Sequence, residues 1–200
     1  MRIALFALTG VGNPVIEALC QAGLAPELVV TREEAGPYPH YPCENIGETA
    51  RRYSIPLHIG LEGENMVSVG SWDLILAATY HRVLSQTLLD RAGNAINFHP
   101  SLLPKYRGPN PFYWVIANGE RETGVTAHKL VSELDRGDIY AQRSYTLAPD
   151  ETEASLRRRL ADLTAPLAVE MAMRAQQGSL IGVAQDERQA SYYPRPKQVS

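Results

Sequence analysis

An open α/β sheet, mostly parallel, flanked by helices and closed by a late antiparallel strand, is the fold this sequence predicts. Three observations carry that expectation. Short apolar runs with strand character alternate with helical stretches through the first half of the chain. Glycine and proline punctuate the ends of those runs. Beyond Asp135 the chain returns as one more strand and then enters a long helix. The pattern is Rossmann-like. With 200 residues and 44% hydrophobic content it can bury one full core, so residues 1–200 are expected to form a single domain.

The elements follow in order. Ile3–Leu8 reads as a first strand, leading through Gly10 and Gly12 into a helix near Asn13-Pro14, where proline suits a helix start. Glu27–Thr31 is a second strand. Glu33–Cys43 carries Gly36, Pro37, Pro39 and Pro42 among charged and aromatic residues, which predicts a surface loop. A helix over Ile46–Tyr53 and a short strand at Leu57–Ile59 come next. Trp72–Thr79 reads as a central strand and Asn94–Asn97 as a buried one. Thr123–Leu130 alternates as a strand does, and Ile139–Leu147 is its return. Thr152 is a plausible cap for the long helix, which Pro166 should kink or divide.

Charge and cysteine usage narrow the functional classes. The formal net charge of -3 leaves no broad basic field for nucleic acid. The basic run Arg157–Arg159 reads as a solvated helix face beside Leu156, Leu160 and Leu163. Cys20 and Cys43 form no metal or redox motif, and Asn-x-Ser/Thr sequons are absent, which suits a cytoplasmic location. No stretch is long enough to cross a membrane, and Ile3–Leu8 is too brief for a signal peptide.

The chemistry concentrates in Asn97-Phe98-His99-Pro100-Ser101-Leu102-Leu103-Pro104-Lys105-Tyr106-Arg107-Gly108. Asn97 and His99 lie two apart on a strand and therefore share a face, at the carboxyl end where open α/β sheets bind ligands. They offer a hydrogen-bond donor and a proton shuttle, or else a turn cap and a satisfied core histidine. Asp135, before Arg136-Gly137, sits at the mouth of a turn, where a carboxylate could orient His99, accept an amine proton, or serve as an ordinary turn residue. Asp138 leads directly into a strand and reads as structural. His99, His128 and Asp135 lack the short spacing of a zinc site, so no metal is expected. Gly10-Val11-Gly12-Asn13 could bind an anion at a helix amino terminus, or simply make the turn; a third glycine and a closing acidic residue are both missing for a dinucleotide site.

These residues resemble the catalytic domain of the folate-dependent formyltransferases. The resemblance runs from Asn97 to Gly108, then through Trp114-Val115-Ile116, Asn118-Gly119-Glu120 and Thr123-Gly124-Val125-Thr126, to Leu134-Asp135, Gly137-Asp138-Ile139 and Gln142. It implies that Asn97, His99 and Asp135 are catalytic and that the formyl donor is 10-formyltetrahydrofolate. It further implies that main-chain groups of Arg82, Val83 and Leu84 grip the pterin, with Val131, Glu133 and Leu134 closing over its other edge. Tyr106, Arg107 and Asn110 become candidates for the acceptor side, with Gly12 and Asn13 as its anion-binding part.

The segment from Arg107 to Trp114 looks more like sugar N-formyltransferases than like the tRNA enzymes, as does Ala190–Arg195. The expected acceptor is thus a small molecule, the amino group of a nucleotide-linked amino sugar, with no nucleic-acid or membrane partner and a homodimer as the oligomeric option. The chain is also shorter than the usual initiator-tRNA enzymes. Glycinamide ribonucleotide, an amino acid or carrier-bound amine, a formyltetrahydrofolate hydrolase and a silent folate-binding module are the alternatives.

Overall fold

A computed structural model describes residues 1–34 and 36–196; Ala35, inside the predicted 33–43 loop, lies outside them. Seven strands form one sheet: β1 (Ile3–Ala7), β2 (Leu28–Thr31), β3 (Leu57–Ile59), β4 (Trp72–Ala78), β5 (Ala92–His99), β6 (Glu122–Lys129) and β7 (Ile139–Thr146). Their spatial order is β3-β2-β1-β4-β5-β6-β7. Pairing is parallel from β3 to β5 and antiparallel for β5–β6 and β6–β7, as the sequence predicts.

Helices cover both faces. On one side, α1 (Gly12–Gln21), α2 (Ile46–Arg52), α5 (Pro111–Ala117) and the long α6 (Glu153–Gln176) pack on Leu5, Leu74, Leu76, Ile96, Phe98 and Val125. On the other, α3 (Gly60–Val69) and α4 (Gln86–Leu89) cover Phe6, Val30, Ile75, Ala77 and Ala95. Burial on two faces explains why β1 and β4 are near-continuous apolar runs. The order of strands reverses between β1 and β4, so their carboxyl ends diverge and leave a crevice, which is where ligands bind in this architecture.

Three helices escape the sequence pattern. The weakly amphipathic α3 buries only Gly63 and Val67 and has no side-chain cap. A single turn is all there is of α4, and α5 is disguised by prolines, although Pro111 at its first turn is well suited to start a helix. Pro166 does not divide α6, which runs unbroken from its Thr152–Ser155 capping box to Gln176. An interior proline costs about 3 kcal/mol, whereas burying a leucine contributes roughly 1.5–3 kcal/mol. Leu156, Leu160 and Leu167 are each 1% exposed, so packing on the sheet outweighs the missing hydrogen bond. Pro166 itself faces solvent. Pro166→Ala is therefore expected to stabilise the fold by roughly 1–3 kcal/mol, read from urea unfolding midpoints at constant m.

Candidate active site

A cavity of about 690 Å³ opens at the carboxyl ends of β1 and β4 and reaches the ends of β5 and β6. That volume lies within the usual range for small-molecule sites, roughly 300–1,000 Å³. Asn97, His99, His128 and Asp135 meet at its inner end. Strand register explains the first three. Phe98 points to the α6 face, so its neighbours Asn97 and His99 point away from it, and β6 pairs His128 with Asn97 and Thr126 with His99. Two residues 31 positions apart in sequence thereby become cross-strand neighbours.

Each side chain is held. The His128 Nδ1 donates to the Lys129 carbonyl at 2.9 Å, leaving its Nε2 to accept from the Asn97 amide at 3.0 Å. This fixes which end of the Asn97 amide is nitrogen, and leaves its second N–H free to serve the cavity. His99 Nε2 donates to the Tyr106 carbonyl at 2.8 Å, so its Nδ1 faces the Asp135 carboxylate at 3.5 Å. Tyr106 adopts a positive φ of 60° to present that carbonyl, and its ring stacks on Tyr193 with centroids 4.8 Å apart.

Asp135 is 6% exposed and also adopts a left-handed backbone, φ 56°. Its Oδ2 accepts from the Gly108 N–H at 2.9 Å, and its Oδ1 lies 3.8 Å from His128. Gly108 has φ 113°, and a Cβ there would fall 2.2 Å from the Tyr193 carbonyl oxygen, so glycine is required for this approach. One buried carboxylate thus faces two imidazoles and a backbone donor.

His128 is the residue whose importance sequence reading missed: alternation places it on a strand, but only register puts it beside Asn97. Burial pushes its imidazole down to about 4; His99 adds to the effect and Asp135 opposes it. The unfolded chain takes up this proton near pH 6.5, the folded one only near 4. The unfolded state therefore binds more protons in that window, and stability falls as pH drops from 6.5 towards 4. His128→Gln is expected to remove up to about 3 kcal/mol of that pH dependence, measured by urea unfolding at pH 7 and pH 4.5.

The other predicted residues divide. Arg82, Val83, Leu84, Val131, Glu133, Leu134 and Asn110 all line the cavity. The Arg82 guanidinium is paired with Glu64 at 2.8 Å and stays exposed. Tyr106, Arg107, Gly12 and Asn13 are not among the residues that line the cavity. The Tyr106 hydroxyl bonds Glu120 and Asn118 on the far side of its loop. Arg107 is 4% exposed and committed to Gln185 and Glu187. Asn13 donates to the Glu44 carbonyl and Thr49 and accepts from Gly10, while Gly12 is packed against Ile46.

The outer wall comes instead from the 33–43 loop and α6. Glu34, Tyr38 and His40 line it opposite Glu153 and Arg157. Tyr38 lies over Gly10, where a Cβ would come within 2.6 Å of its ring. Arg157 is stacked 4.2 Å above the Phe112 ring and bonds Glu153 and Asn110.

A family profile described as Formyl transferase matches residues 63–171, from α3 through most of α6. The chain belongs to the formyl transferase family. A methionyl-tRNA formyltransferase of Acidobacterium capsulatum is 33% identical over 204 aligned positions, covering 97% of this chain and 65% of the relative. The chain spans 40 to 65% of the length of the curated relatives it matches. Among solved formyltransferases, the N-formyltransferase from Helicobacter canadensis, determined with folinic acid and dTDP-3-aminofucose, superposes with a TM-score of 0.80 at 18% identity. It aligns with 98% of this chain and 71% of its own. The phosphoribosylglycinamide formyltransferase of Bacillus halodurans gives 0.73 at 22% identity, over 89% and 97% respectively. The expected mixed sheet is thus the formyltransferase fold. Among the described residues no helix is long and apolar enough to cross a membrane.

Proposed function

We propose that this chain transfers the formyl group of 10-formyltetrahydrofolate to a primary amine, as one catalytic unit over residues 1–200 acting in the cytoplasm. The observation that carries the reading is the convergence of Asn97, His99 and Asp135 at the inner end of the crevice. The amine attacks the formyl carbon and its electron pair forms the new C–N bond, while the carbonyl electrons move onto oxygen. The free N–H of Asn97 and a proton on His99 Nδ1 stabilise that oxyanion. Asp135 shares the Nδ1 proton and receives the one lost by the amine, directly or through water. Collapse of the intermediate breaks the bond to the folate nitrogen, which leaves with the proton that Asp135 took from the amine. The main chain at Arg82–Leu84 and the segment from Val131 to Leu134 flank the opening where the flat donor ring would lie.

The acceptor side supports a nucleotide-linked amino sugar. Tyr38 supplies an aromatic face, and the guanidinium groups of Arg32 and Arg157, which line the cavity with it beside Glu34 and Glu153, suit phosphates. The Helicobacter canadensis enzyme, bound to such a sugar, shares the fold. A second reading, methionyl-tRNA as acceptor, is favoured by the 33% identity to the Acidobacterium relative, and it reopens the nucleic-acid partner that net charge argues against. An acceptor panel with 10-formyltetrahydrofolate separates them: nucleotide amino sugars, glycinamide ribonucleotide, charged initiator tRNA and a no-acceptor control, followed by tetrahydrofolate release. Turnover with one amino sugar supports the proposal, turnover with tRNA replaces the acceptor, and release without any amine identifies a hydrolase. No release in any well rejects transfer.

A further inference from the structure

Residues 183–193, after α6, return to the site and brace the Asp135 turn from behind. Val183 pairs with Ile139 and Tyr192 with Arg107, which stretches the intervening segment between the Gly108 loop and the Asp135 turn. Gln185 lies at the crossing. Its amide nitrogen donates to the carbonyls of Asp135 and Gly137, both at 2.8 Å. Its amide oxygen accepts from Arg107 Nε at 3.1 Å and Nη2 at 2.6 Å. The guanidinium is anchored in turn on both oxygens of Glu187, at 2.7 and 3.0 Å.

We infer that Gln185 is a positioning residue for Asp135, forming with Arg107 a clamp that holds the left-handed turn and so sets where the carboxylate points. The turn offers only carbonyl oxygens on this side, and Arg107 offers only donors. A group between them must donate one way and accept the other, which a primary amide does and neither a carboxylate nor an amine can. Asp135 in its left-handed conformation is strained, and such strain persists only where surrounding contacts over-determine it. Gln185 contributes two of those contacts, and the Gly108 N–H contributes the third at the carboxylate itself. Arg107, expected from sequence to meet substrate, acts here through its neighbour.

The inference rests on the reading of Asp135 as a group that touches the reacting atoms, and its test has one arm independent of catalysis. Gln185→Glu preserves shape and the pairing with Arg107 but turns acceptors towards two carbonyls. Hydrogen exchange at the Gly108 amide reports the Asp135 bond directly. The variant is expected to exchange that proton at least tenfold faster than wild type, with the thermal transition still cooperative. Displacements of this kind cost about tenfold to a hundredfold in kcat, with KM for the formyl donor within twofold. Placed on Asp135→Asn, Gln185→Glu should add less than twofold, because the residue it positions is already lost. Unchanged Gly108 exchange, or kcat losses that multiply in the double variant, would overturn the clamp. Faster exchange in a protein whose wild type transfers no formyl group would leave the clamp standing and reject the catalytic reading instead. Should Gln185→Glu not fold, Gln185→Met, which removes the donors without adding charge, takes its place in the same measurements.

Discussion

Asn97→Ala is expected to lower kcat by about 100- to 1,000-fold, or about 2.7–4 kcal/mol of transition-state stabilisation, while leaving the affinity for folate within severalfold. The magnitude follows from geometry. One N–H of the amide is spent on His128, so the other is the single side-chain donor that Asn97 can aim at a developing oxyanion. Alanine removes it and also leaves His128 Nε2 without its partner. The donor ring would rest against other elements, Arg82–Leu84 and the segment from Val131, so equilibrium binding should survive. Folate titration by fluorescence and single-turnover transfer on the same preparation make the comparison. A kcat within threefold of wild type would remove Asn97 from the mechanism.

Asp135→Asn should cost about 100- to 10,000-fold in turnover for a different reason. The Gly108 N–H requires an acceptor at Oδ2, which dictates that the new amide place its oxygen there and its NH2 towards His99. That NH2 donates to His99 Nδ1, while Nε2 is already donating to the Tyr106 carbonyl. The imidazole is then fixed with no proton on the nitrogen that faces the substrate, and the path from amine to folate nitrogen is cut. Nitrogen-15 spectra of the labelled histidine should show Nδ1 as an acceptor in the variant. Loss of folate affinity equal to the loss of rate would contradict a role confined to proton movement.

The general architecture was legible because the residues themselves encode it. Apolar strands β1 and β4, the turn residues between elements and the Thr152 cap all act over a few positions, and so does the Asn97–His99 pair on one strand face. Helices whose packing demand is slight, such as α3 with its two buried residues, leave little periodicity to read. Contacts that depend on register or on the returning chain leave none. His128 meets Asn97 only because β5 and β6 run antiparallel, and Gln185 meets Asp135 across 50 positions. Tyr106 and Arg107 are placed by the same kind of long-range contact. They sit in the most recognisable stretch of the sequence, yet they support the site from outside the cavity, one through its carbonyl and the other through Gln185.

The two ends of the cavity are built from different materials. Strand residues locked by ladder pairing, Asn97, His99 and His128, line the inner end with Asp135 from its turn, whereas Glu34, Tyr38 and His40 of the 33–43 loop form the outer wall with Glu153 and Arg157 of α6. On the proposed function, chemistry and acceptor choice are then separable parts of this molecule. A lineage, or an engineer, could exchange the loop to suit a new amine without moving an atom of the formyl-transfer machinery.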